Sequence, residues 1–147
     1  MTLGAMALCA VVPLREVRAQ VAVVVNRSNS LSNVSLEDLR RLYLGAATSF
    51  PNKETVVLLE SPKSRASFYH DALGMSEDRV KRHWIGMVFK GASAVPPKEI
   101  ASPEELRHFV AEHAGAIAFI DASTMDVSLK LVAVDGHQPG DPTYPLR

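Results

Sequence analysis

Neither sign of charge is in excess: 16 Lys and Arg face 16 Asp and Glu over 147 residues. Without a basic stripe the chain cannot displace counterions from a nucleic-acid backbone, so no nucleic acid is expected as a partner. A small anion is not excluded, because it needs only a few aimed donors. A lone cysteine, Cys9, excludes an internal disulfide and a cysteine-based zinc site. The five histidines are scattered, and His108 and His113 stand five apart, which does not place two ligands on one helix face. No Walker A loop, dinucleotide glycine fingerprint or Gly-x-Ser-x-Gly nucleophile elbow is present. His70-Asp71 beside Ser67 has triad residue types but no such elbow. The sequence therefore reads as that of a non-enzyme, with no cofactor and no metal. No apolar run is long enough to span a bilayer either.

What is present is an apolar content of 47%, enough for one domain with a real core. The first 19 residues differ from the rest. Leu3 to Val12 is a short apolar run containing Cys9, and Val17-Arg18-Ala19 follows as a small-x-small cleavage pattern. Residues 1–19 are read as a secretory signal peptide cut after Ala19, although Met1-Thr2 lacks the usual basic start. Residues 20–134 form the domain, and 135–147, with Pro139, Gly140, Pro142 and Pro145, read as an extended C-terminal tail.

Within the domain, Val21 to Val25 is a β-branched run without alternation, as in a strand covered on both faces. Ser35 caps a helix with Leu36, Leu39 and Tyr43 at helical spacing, stopped by Gly45. Val56 to Leu59 is a second strand. A helix carrying Phe68, Tyr69, Ala72 and Leu73 ends at Gly74, and the next begins at Ser76 with Val80, Trp84, Met87 and Val88 inward. Residues 89–101, with Gly91 and Pro96-Pro97, read as a long loop. Ser102-Pro103-Glu104-Glu105 starts a helix with Leu106, Phe109 and Val110 inward. Ala116 to Ile120 and Leu129 to Val134 complete the strands. Apolar strands separated by helices predict an α/β fold with a mostly parallel sheet. Ligands in such sheets bind beyond the carboxyl ends of strands, which selects Arg27 to Ser30 and Ser61 to Ser67.

The order of motifs carries a resemblance. Ser35 to Gly45 is followed by Ser49-Phe50-Pro51-Asn52, Ser64-Arg65-Ala66-Ser67-Phe68-Tyr69, Leu73-Gly74 and Trp84. Then come Phe89-Lys90-Gly91, Pro96-Pro97 and Gly115 to Ile120. Over residues 21–134 this set resembles the short PstS-like family, related to phosphate ABC transporter substrate-binding proteins. The resemblance implies a single periplasmic-binding-protein-like lobe with flanking helices, a periplasmic location and inorganic phosphate or a similar oxyanion as ligand. It also implies a membrane transporter or sensor as partner. The sequence departs from the family at Phe50, Lys90 and Ala118-Phe119, and at Lys63-Ser64-Arg65, which lacks the glycine of the family's Ser-Gly-Thr-type turn.

An oxyanion site needs convergent N–H and O–H donors. Ser64 and Ser67 offer hydroxyls near a helix start, Arg65 a two-pronged donor, and Ser28, Asn29 and Ser30 a second loop. Each also has a plainer role: Ser64 as a cap, Arg65 as an ion-pair member, Ser28 to Ser30 as loop. The alternative function is a ligand-free interaction or regulatory module of the same fold, marked by an exposed apolar patch. Expression of the full chain in a bacterial host, with N-terminal sequencing of the periplasmic fraction, is expected to give a protein starting at Gln20.

Overall fold

The computed structural model describes residues 20–147, so the leader expected at 1–19 lies outside the described residues. Six strands make one sheet: β1 Val21–Asn26, β2 Asn33–Val34, β3 Val57–Glu60, β4 Lys98–Glu99, β5 Ala116–Asp121 and β6 Leu129–Val134. Their spatial order is β2-β6-β1-β5-β3-β4. β1 is antiparallel to both neighbours, and the pairs β2–β6, β3–β5 and β3–β4 are parallel. Five strands thus share one direction and β1 alone opposes them. The sheet is mostly parallel, as the sequence predicts.

The strand period of two divides the core. Val21, Val23 and Val25 join Ile117 and Phe119 on one face, while Ala22 and Val24 join Ala116, Ala118 and Ile120 on the other. The first face is covered by α1 Leu36–Tyr43, α2 Pro62–Phe68 with its π-helical extension Tyr69–Leu73, and α3 Glu77–Phe89. The second face is covered by α4 Pro103–Glu112 through Leu106 and Val110. Phe68 stacks on Phe119 at 3.9 Å, and Tyr43 meets Phe68 edge-on at 4.8 Å. The buried Tyr43 hydroxyl donates to the Leu59 carbonyl at 2.9 Å, which ties α1 to β3.

Local signals act as expected. Ser35, Ser76 and Ser102 each accept a backbone N–H from three residues on. Gly74 stops the π turn at φ +62°. Gly45, at φ +76°, lies where a Cβ would stand 2.7 Å from the Trp84 ring, so the residue is fixed by conformation and by space.

Three expectations change. Val88 is 60% exposed, not inward. The expected loop over 89–101 includes the short edge strand β4. Residues 135–147 are no extended tail: turns bring Tyr144 and Leu146 into the core, and the Tyr144 hydroxyl donates to the Val21 carbonyl at 2.6 Å. Burial removes hydration from that phenol and raises its pKa.

At the start of β5, the Gly115 backbone passes so close to the Thr55 carbonyl that a Cβ would collide with it. Gly115→Ala is expected to cost about 1–3 kcal/mol, as overpacking does. Urea denaturation checks this, and an unchanged midpoint would contradict it.

Candidate functional site

The direction of β1 decides which loops meet. Val25 and Leu58 both sit beside Ile117, so β1 ends near the beginning of β5 while β3 ends near its far end. Ser28, Asn29 and Ser30 therefore lie at one edge of the sheet and Ser61 to Ser67 at the other. The six residues of β5 separate them by roughly 17–20 Å. One small anion cannot touch both groups, and the expected two-loop site is not formed.

The first loop bonds largely to itself instead, although Asn29 Nδ2 is buried with no hydrogen-bond partner among the described residues. Asn26 Oδ1 accepts from the Ser28 N–H at 2.9 Å and from the Ser28 hydroxyl at 2.7 Å. Asn29 is buried, and its Oδ1 accepts from the Leu31 N–H at 2.9 Å and from Asn52 Nδ2 at 3.0 Å. Asn52 also donates to the Ser30 hydroxyl oxygen at 2.9 Å. These residues hold a turn together.

At the other edge, α2 divides two hollows. One, of about 200 Å³, is lined by Ser61, Lys63, Ser64 and Ser67 of the α2 start, together with Asp121 at the end of β5 and Thr124 just after it. Pro103 at the first turn of α4 closes its side. Ser61 is the residue that caps α2, with Pro62 at the first helical position, yet its side chain makes no capping bond. Ser64, one turn in, is buried, whereas Lys63 and Ser67 are exposed. Asp121 Oδ1 accepts from the N–H and hydroxyl of Ser123 at 2.9 and 2.8 Å.

Arg65 faces the opposite side of α2. Its Nε donates to Glu77 at 2.8 Å, and its Nη1 donates to Glu60 at 3.1 Å and Glu99 at 2.5 Å. Its Nε and Nη1 are held by carboxylates on the side of α2 away from Ser64, so the guanidinium is not placed to grip an anion beside Ser64. Hydrogen bonds to Glu77 and Glu99, with Glu60 adding to them, raise its pKa still further. Glu60 is buried at the end of β3 and also accepts from the Tyr69 hydroxyl. Burial, followed by the bond to Glu60, raises the Tyr69 phenol pKa and keeps it protonated as a donor. This side opens on a larger hollow of about 720 Å³ lined by Glu77, Asp78, Trp84, Phe89 and Glu99. Among the described residues, no three His, Cys, Asp or Glu side chains are grouped to hold a metal ion.

This architecture is shared with solved proteins. The fold is similar to part of that of solved ABC-transporter substrate-binding proteins. An ABC-type phosphate transport receptor from Vibrio cholerae is similar with a TM-score of 0.64 at 20% identity, over 82% of this chain and 48% of that one. A putative phosphate ABC transporter substrate-binding protein with bound phosphate, from Clostridium perfringens, gives 0.65 at 17%, over 81% and 46%. PstS from Borrelia burgdorferi gives 0.66 at 10%, over 86% and 53%. The likeness is one of fold, and the chain spans about half the length of these substrate-binding proteins. No family model matches the sequence, and no curated protein matches it.

Of the six expected site residues, Ser64 and Ser67 share a hollow, Arg65 turns to the other side of their helix, and Ser28 to Ser30 lie at the far edge. The sequence selects the segment Ser61 to Ser67 but carries no mark of Glu60, Glu77 and Glu99 as partners of Arg65, nor of Asp121 and Thr124 as lining. Ser61-Pro62 was a readable signal for a helix cap.

Removing Arg65 leaves Glu60 buried without its cation. Arg65→Ala is therefore expected to cost about 3 kcal/mol, with part recovered in Arg65→Ala/Glu60→Gln. Chemical denaturation of both variants and of Glu60→Gln alone measures it, and strictly additive losses would show that the pair is not coupled.

Proposed function

We propose that this chain is an exported oxyanion-binding lobe that takes phosphate or a related anion in the hollow between Ser61, Lys63, Ser64, Ser67 and Asp121. It acts in the periplasm beside an ABC-type membrane transporter. The observation that supports this reading best is the set of three serine hydroxyls and one ammonium around a single hollow at the carboxyl ends of β3 and β5. That edge is where ligands bind in open α/β sheets. The similar Clostridium perfringens protein has phosphate bound.

The chemistry of the lining favours a protonated oxyanion. Lys63 supplies charge, and the serines supply neutral donors. Asp121 is an acceptor, so it faces a hydrogen phosphate O–H favourably and a fully ionised sulfate oxygen unfavourably. Micromolar affinity needs about 8 kcal/mol. Charge-assisted hydrogen bonds return roughly 1.5–3 kcal/mol each, before the cost of association. The donors around this hollow therefore support weak binding by a monomer, and tight binding needs a facing surface that adds donors.

A second reading, a ligand-free interaction module of the same fold, is favoured by the exposure of Phe89, at 87%. Thermal melting with phosphate, arsenate, sulfate and molybdate separates the two. The oxyanion reading expects stabilisation by millimolar phosphate and arsenate, none by sulfate, and loss of the effect in Ser64→Ala. At a hundred times the dissociation constant the gain is about 2.7 kcal/mol. No shift with any anion would remove this reading, and calorimetric micromolar binding to a monomer would contradict the affinity argument.

A further inference from the structure

The last two turns of α3 are apolar on two sides. Val80 and Trp84 face the core, while Ile85, Val88 and Phe89 are 47%, 60% and 87% exposed. Residues 85, 88 and 89 are spaced i, i+3, i+4 and make one outward stripe. Beyond the turn at Gly91, Pro96 and Pro97 line the same 720 Å³ hollow as that stripe, and Val95 beside them is 75% exposed. A helix that is apolar all round belongs in a covered position, and a joined patch of this kind marks an interaction surface.

The charges around the hollow set the chemistry of what covers it. Among the described residues, Glu60 and Glu99, with Glu77 and Asp78 at the start of α3, line it against two cations, Arg65 and Lys81. Arg65 already bonds three of those four carboxylates. One guanidinium cannot neutralise three carboxylates, so the groove keeps a negative field beside its apolar stripe.

We infer that this groove docks a segment of a partner protein that carries a Lys or Arg next to bulky apolar side chains. The apolar side chains lie on Ile85, Val88 and Phe89, and the cation answers Asp78, Glu77 and Glu99. Other occupants fit less well. An anionic lipid surface is repelled by these carboxylates. A second copy docking groove to groove brings two sets of carboxylates together. A small ligand inside the hollow leaves the outer face of Phe89 in water. The groove lies across α2 from the hollow of Ser64 and Ser67, so it stands or falls independently of oxyanion binding.

Selection of random twelve-residue peptides displayed on phage, against the immobilised full chain, tests this. Recovered sequences are expected to pair Lys or Arg with Leu, Ile, Phe or Trp. Their synthetic versions are expected to bind roughly tenfold or more weakly to Phe89→Ser, as loss of a central aromatic anchor does. Asp78→Lys is expected to weaken them as well, with steep salt dependence in the parent chain. Both positions are exposed, and unchanged melting temperatures confirm that the variants are folded. Peptides without a cation, binding indifferent to Phe89→Ser, or no enrichment at all would overturn the inference. So would a dimer in sedimentation that Phe89→Ser dissolves. Loss of the phosphate shift in Ser64→Ala with peptide binding intact keeps this result separate from the oxyanion reading.

Discussion

Strand β1 runs against every other strand of its sheet while occupying the sheet's middle. All six of its residues are buried, and it carries the ladders to both β5 and β6. The placement of the loops follows from that reversal. It sends the turn after β1 to one edge and leaves the carboxyl ends of β3 and β5 to form the other. The edge where α2 and α4 begin is thereby free of the Ser28 to Ser30 turn.

Helix α2 then does two jobs at that edge with successive side chains. Ser64 and Ser67 are three apart and share one side, while Arg65 and Tyr69 are four apart and share the other. The two sides have opposite electrostatic character. Donors and an ammonium gather on the first. On the second, a single guanidinium joins β3, α3 and β4 to α2 through three carboxylates. Such a hub is costly to desolvate and sensitive to the loss of any one member. It positions β4, which pairs with β3 at only two residues and has little else to hold it.

Much of this fold could be read from the chain. Caps at Ser35, Ser76 and Ser102, stops at Gly45 and Gly74, and the apolar strands are local signals, written within a turn or two of where they act. The direction of β1 is not local, because a run such as Val21 to Val25 has the same composition whichever way it pairs. That is why the sequence alone points to one site for Ser28 to Ser30 and Ser64. The partners of Arg65 were equally hidden, since they lie 5, 12 and 34 residues away and charged side chains carry no periodic mark. Val88 reads as inward from the sequence because α3 offers apolar residues on two faces, and periodicity cannot choose between them. Tyr144 and Leu146 stand in a stretch rich in Pro and Gly with no repeating pattern, so their burial left no trace in the sequence.

The Tyr144 hydroxyl on the Val21 carbonyl joins residues 123 positions apart. The register of β1 likewise depends on strands that begin at 116 and 129. Closing loops of that length must precede the contacts that reward it, which makes the topology a slow one. A ribosome releasing this chain exposes β1 first and its partners last. The apolar Val21 to Val25 segment thus waits unpaired through most of synthesis, available to a chaperone before it can be claimed by its own sheet.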